Sequence, residues 1–200
     1  MVALVSHHDD VHVGVLGTMA FDNPKSIKRD TIFRIASLTK LITAVAAMIL
    51  VEECKIRLDD SIEPWLPALA NRRVLKSITS NLDDTVPALV AVTLRDLLTY
   101  RMGFGSIMAM PDTYPIQSSE PPFESGGGGL VSTIDDYFVF CRMMLNKGRY
   151  VNEQILSSAT VELMTSDQLT PEHREDCEIF FDTHSSWGLG FAADIGRKEI

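Results

Sequence analysis

The sequence predicts a chain of mixed class, α/β (α+β), on three observations. Residues 2–20 alternate apolar and polar side chains as paired strands do. Residues 38–53 are apolar at nearly every helical position, and residues 137–145 carry an apolar stripe at helical spacing. A length of 200 residues corresponds to one domain with a sizeable core. Hydrophobic content of 46% against 22% charged residues excludes a disordered chain.

Taken in order, Val2 to Ala20 reads as a hairpin around the polar turn His7-His8-Asp9-Asp10, with Val11, Val13 and Val15 on one face. Asn23-Pro24-Lys25 marks a loop, and Thr31 to Ile35 is a short extended approach to Ser37. Leu38 to about Glu53 is a helix apolar nearly all round, which predicts a central, buried position. Leu58 to Leu69, with Asp59-Asp60 and two prolines, reads as loop and short turns. Thr93 caps a helix through Leu98, stopped by Gly103 and Gly105. Ser106 to Gly129, with Pro111, Pro115, Pro121, Pro122 and four consecutive glycines, has little periodicity. Thr133 and Asp136 form a capping-box-like start for the Tyr137–Leu145 stripe, which Gly148 ends. Ser157 or Ser158 opens a further short helix, and Trp187 to Ile195 reads as one strand. There is no internal repeat.

Composition narrows the function classes. A net charge of −9 argues against nucleic acid as a partner, since phosphate binding needs a basic face. The longest apolar run, Leu41 to Val51, is too short to span a bilayer. Met1 to Val5 runs into Ser6-His7-His8 without a basic n-region, so no signal peptide is read and a cytoplasmic location is expected, unless the true start lies upstream. Cys54, Cys141 and Cys177 are widely spaced and odd in number, which suits reduced thiols. His7, His8, Asp9, Asp10 and His12 can be drawn as a metal cluster, but alternation sends neighbours to opposite faces and favours a solvated turn. His173 and Cys177 read as an exposed turn or helix, and the Asp59-Asp60, Asp83-Asp84 and Asp135-Asp136 pairs as caps and turns. No metal or cofactor is expected.

The candidate chemistry lies in Ser37-Leu38-Thr39-Lys40. A three-residue spacing at a helix start puts Ser37 and Lys40 on one face. The helix dipole favours an oxyanion there, and the Ser37 N–H can donate to it. A lysine against an apolar helix loses hydration, which favours the neutral amine as acceptor of the serine proton. Spacing alone favours a plainer reading, an N-cap serine and a surface lysine. The surroundings shift that balance. Thr31-Ile32-Phe33-Arg34-Ile35-Ala36-Ser37-Leu38-Thr39-Lys40 resembles the nucleophile segment of the serine β-lactamase-like family, which includes class C β-lactamases, penicillin-binding proteins, D-aminopeptidases and β-lactamase-like esterases. Leu58-Asp59-Asp60-Ser61-Ile62 with Trp65-Leu66-Pro67, Thr93 to Gly103, and Gly126 to Thr133 followed by Asp135-Asp136-Tyr137 resemble later segments of the family in the same order.

The resemblance implies an antiparallel sheet packed by helices, with the Ser37 helix between sheet and helical region. It implies acyl-enzyme chemistry on a small-molecule ester, amide or β-lactam carbonyl, with Ser37 as nucleophile and Lys40 as base, and no cofactor. It also exposes departures. The family's Tyr-x-Asn motif lies in a helical region that is shortened here, as by an internal deletion around 106–122. Tyr150-Val151-Asn152 fits that string but follows Gly148, where the family has a turn away from the site. No Lys-Thr-Gly or His-x-Gly triplet follows Trp187. The expectation is therefore one β-lactamase-related domain over 1–200, shortened internally and at the C-terminal strands, with an open sheet edge inviting self-association. The alternative is an inactive, shortened member that binds or is a remnant. Tyr100 and Arg101, after the Leu97-Leu98-Thr99 segment, are expected near the cleft.

Overall fold

The computed structural model describes residues 1–77, 79–103, 125–174 and 184–196. In chain order its elements are β1 (Val2–His7), β2 (Asp10–Val15), β3 (Thr18–Ala20), β4 (Asn23–Ser26), β5 (Phe33–Arg34), a 3-10 turn (Ala36–Leu38) and α1 (Thr39–Glu52). A second 3-10 turn (Pro67–Leu69), β6 (Arg73–Leu75), β7 (Thr85–Pro87) and α2 (Leu94–Leu98) follow. The remainder is β8 (Val131–Ser132), α3 (Ile134–Leu145), β9 (Arg149–Tyr150), β10 (Glu153–Gln154), α4 (Ser158–Thr165), α5 (Pro171–Arg174), β11 (Ser185–Trp187) and β12 (Ala192–Asp194). The strands pair two by two, always antiparallel, and helices supply most of the buried side chains, so the class is α+β as the sequence predicts. No helix among the described residues is long and apolar enough to cross a membrane.

Two compact units divide the chain, Met1–Ala46 with Pro111–Glu162, and Ala47–Met110 with Leu163–Ile200. In the first, β1 and β2 form the expected hairpin around His8 and Asp9, with His8 at φ 53° and Leu4 opposite Val13. Thr18 to Ala20 does not belong to that hairpin. It pairs as β3 with β4, and Asn23-Pro24-Lys25 is strand instead of loop. Pro24 lacks a donor, but each strand of a two-stranded pair has a free edge where none is needed. β5 joins β8 across the whole intervening sequence, Phe33 opposite Ser132 and Arg34 opposite Val131. Thr133 caps α3 by accepting the Asp136 N–H at 3.2 Å, and Gly148 follows its end. Among the described residues of this unit, Ala44, Val45, Met143, Leu156 and Val161 are the buried apolar ones. Cys141 is half-buried on α3, and burial pushes its thiol pKa up.

The second unit is built on Met48, Ile56, Ile62, Leu94, Leu98, Met164, Leu169, Leu189 and Ala193, all buried. Thr93 caps α2 in a full capping box with Asp96. The helix stops before Gly103, because Tyr100 already takes φ 57°. The β6–β7 pair has no counterpart in the sequence reading. Its apolar side chains are exposed (Val74 48%, Val86 38%), so it lacks the alternation of burial that makes a strand legible. Trp187 to Ile195 is a hairpin and not a single strand: the chain reverses between Gly188 and Phe191, where the Gly188 N–H donates to the Phe191 carbonyl at 2.7 Å. The predicted all-round burial of α1 also fails. Ala44, Val45 and Met48 are buried, while Thr43, Ala46 and Leu50 are exposed.

Arg95 organises the polar part of this unit. Its Nε and Nη2 donate to the Asp59 carboxylate at 2.6 and 2.9 Å, and its Nη1 donates to Gln168 Oε1 at 2.6 Å. The Arg95 hydrogen bond holds the Asp59 carboxyl below its ordinary range. A carboxyl depressed in the folded state adds stability above its unfolded pKa, about 3.9, which is lost as pH falls through the folded value. Urea titrations at stepped pH are therefore expected to show stability dropping below about pH 4, with Asp59→Asn flattening that acid limb. The effect is modest because Asp59 is 70% exposed. Identical acid limbs in the two proteins would remove the assignment.

Candidate active site

The candidate nucleophile segment is delivered by β5, whose end is tied to the glycine-rich segment by the Ile35 N–H donating to the Leu130 carbonyl at 3.1 Å. Ala36 then adopts φ 46°, a left-handed conformation costly for a residue with a Cβ. The turn Ala36–Leu38 closes with the Leu38 N–H on the Ile35 carbonyl at 3.0 Å, and α1 begins at Thr39. Ser37 is thus lifted out of both strand and helix, and it is exposed. Lys40, in the first turn of α1, is half-buried. Its Nζ donates to Ser37 Oγ at 2.9 Å and to the Gly127 carbonyl at 2.8 Å.

The glycine-rich segment is the part of this site that sequence reasoning did not assign. Gly126, Gly127 and Gly128 form a turn over the start of α1. Three further contacts fasten the segment: the Thr43 hydroxyl donates to the Gly126 carbonyl at 2.8 Å, the Leu130 N–H donates to Thr39 Oγ1 at 3.2 Å, and the Gly129 N–H donates to the Ser125 carbonyl at 2.8 Å. Thr39 is 1% exposed, so its hydroxyl is a buried anchor. A Cβ at Gly129 would stand 2.8 Å from the Ser125 carbonyl oxygen, which explains why a side chain is excluded. Four consecutive glycines are the one sequence signal for such a close backbone approach.

Nearby, the Arg29 guanidinium grips Asp135 of α3 with contacts of 2.7 to 3.1 Å and holds its carboxyl below the ordinary range. Ile35 and Leu38, which bracket Ser37, line a cavity of about 350 Å³ together with Phe33, Ile134 and Tyr137. Burial pushes the Tyr137 phenol up.

The other candidates have these surroundings. Tyr150-Val151-Asn152 forms the β9–β10 turn, with Tyr150 paired to Glu153. His7 and Asp10 close the β1–β2 turn, and His8, Asp9 and His12 are exposed around it. Among the described residues no three of His, Cys, Asp or Glu are grouped as metal ligands would be. His173 bonds Thr170, while Cys177 lies outside the described residues, as does the 106–122 segment. Tyr100 packs against Trp187 with ring centroids 5.0 Å apart, and Arg101 bonds Asp96 and Thr99, all within the second unit.

Comparison with known proteins gives the family and the fold. The family model described as Beta-lactamase matches residues 1–114. An uncharacterized protein of Mycobacterium tuberculosis (strain CDC 1551 / Oshkosh) is 26% identical, with 92% of this chain and 71% of that protein covered. The aligned stretch is 286 residues, longer than this 200-residue chain, so the relative carries internal residues that have no counterpart here. Esterase EstB of Burkholderia gladioli is 31% identical over 105 residues, 52% of this chain and 24% of the esterase. Among solved structures, unliganded simvastatin synthase LovD from Aspergillus terreus superposes with a TM-score of 0.69 at 17% identity, covering 92% of this chain and 74% of that one. At that identity the likeness establishes the fold alone.

Proposed function

Because this chain belongs to the Beta-lactamase family, whose relatives and structural neighbours include hydrolases and acyltransferases, we propose that it is a serine acyl-transfer hydrolase with Ser37 as nucleophile and Lys40 as base. The observation that carries the reading is the 2.9 Å contact between Lys40 Nζ and an exposed Ser37 Oγ at the mouth of α1. Lys40, acting as base, takes the hydroxyl proton on Nζ as Oγ attacks the carbonyl of a small ester, amide or β-lactam. The Ser37 N–H supports the developing oxyanion. Collapse of the tetrahedral adduct expels the leaving group, which takes the proton back, and water then releases the acyl group from Ser37.

The long-aligned but internally longer relative favours a second reading: an internally shortened member, reduced around 106–122, that folds but does not turn over. A fluorophosphonate probe separates the two. Labelling that maps to the Ser37 peptide supports an activated serine, whereas a folded protein that never labels supports the second reading. Among the described residues the two-stranded pairs leave open edges, β1 with six residues, and these are a route to self-association.

A further inference from the structure

We propose that Thr43 is a positioning residue for the Ser37–Lys40 pair, acting through the glycine-rich segment. The inference rests on the acyl-transfer reading of that pair. The Thr43 hydroxyl has one hydrogen and two acceptors in reach, the Gly126 carbonyl at 2.8 Å and the Thr39 carbonyl of its own helix at 3.1 Å. The nearer acceptor is the one across the chain. The next carbonyl along that segment, Gly127, accepts from Lys40 Nζ at 2.8 Å. A neutral amine has two N–H donors and one lone pair. Nζ donates to both Gly127 and Ser37 Oγ as the pair stands; when Lys40 acts as base, the N–H held by Gly127 keeps Nζ 2.9 Å from Ser37 Oγ, so that its lone pair takes the place of the second N–H where the proton must arrive. Thr43 touches neither Ser37 nor the reacting carbonyl. It fixes the carbonyl that fixes the amine.

The fit is tight enough to be tested from both sides. A Cβ built at Gly126 would meet Thr43 Cγ2 at 3.2 Å and Oγ1 at 3.3 Å. Contacts that short force the neighbour to give way, so Gly126→Ala pushes the segment off Thr43. Serine at position 43 keeps the hydroxyl and removes the methyl that an alanine at 126 would meet.

The experiment measures p-nitrophenyl acetate hydrolysis and fluorophosphonate labelling for wild type, Thr43→Val, Thr43→Ser, Gly126→Ala and the Thr43→Ser/Gly126→Ala pair. Thermal unfolding confirms that each is folded. The expected result is a loss of about five- to tenfold in kcat for Thr43→Val with KM little moved, since no substrate contact is lost. Thr43→Ser stays within twofold of wild type, and the double variant recovers activity relative to Gly126→Ala alone. Thr43→Val labelling as fast as wild type would overturn the positioning role while leaving the acyl-transfer reading intact. So would a double variant no better than Gly126→Ala. A folded wild type that never labels overturns both, because no proton transfer remains to be positioned.

Discussion

Replacing Lys40 with methionine is expected to lower the rate of Ser37 acylation by about 10²–10⁴-fold, the range lost when a positioned general base is removed. Methionine keeps the length and apolar stem of lysine, so packing against α1 is retained while both Nζ contacts, to Ser37 Oγ and to the Gly127 carbonyl, disappear. Ser37→Ala is expected to abolish labelling, because Ser37 Oγ is the hydroxyl in contact with Lys40 Nζ. Pre-steady-state labelling with a fluorophosphonate, followed by mass spectrometry of the modified peptide, reads both effects. Lys40→Met labelling at the wild-type rate would show that Ser37 is activated by something else. Modification persisting in Ser37→Ala would move the nucleophile to another residue.

Gly148→Ala is expected to be the most damaging small substitution in the first unit, costing about 3 kcal/mol or more. Two independent penalties coincide. Gly148 sits at φ 84°, where a side chain is strained, and an added Cβ would fall 2.1 Å from the Leu156 carbonyl oxygen. Neither the backbone nor that oxygen can withdraw. The Gly148 N–H donates to Met143 at 2.9 Å, its carbonyl accepts from Ile155 at 2.8 Å, and Leu156 is buried. Gly14→Ala is the matched control, since nothing lies within 4 Å of its added Cβ, and should move stability by less than about 0.5 kcal/mol. The difference corresponds to a drop of about 6–12 °C in the unfolding midpoint for Gly148→Ala. Equal midpoints would show that the α3–β9 corner relaxes freely.

Local order was legible wherever a cap or a period dictated it. Thr93, Thr133 and Ser157 each accept a backbone N–H at the start of a helix, as such residues do when four donors are left unsatisfied. The β1–β2 hairpin follows from period-two alternation around a polar turn. The failures are equally physical. β6 and β7 are exposed and so carry no burial pattern, β3 and β4 are too short to show a period, and Trp187 to Ile195 hides its reversal inside an apolar run. The open face of α1 at Thr43, Ala46 and Leu50 was invisible because apolar composition reports what a helix can bury, not what arrives to cover it.

What the sequence determined by itself is therefore the family, the Ser37–Lys40 spacing and the caps, all of which are written in residues a few positions apart. The Ser37–Lys40 spacing belongs to that class, since one helical turn brings position i to i+3 in any chain. Only the tertiary structure decided what faces the pair. Gly127 lies 87 positions from Lys40 and Gly126 lies 83 from Thr43, and those contacts exist because β5 pairs with β8 and carries the glycine-rich segment over the start of α1. A backbone carbonyl has no side chain to announce it, and glycine announces only that something must come close.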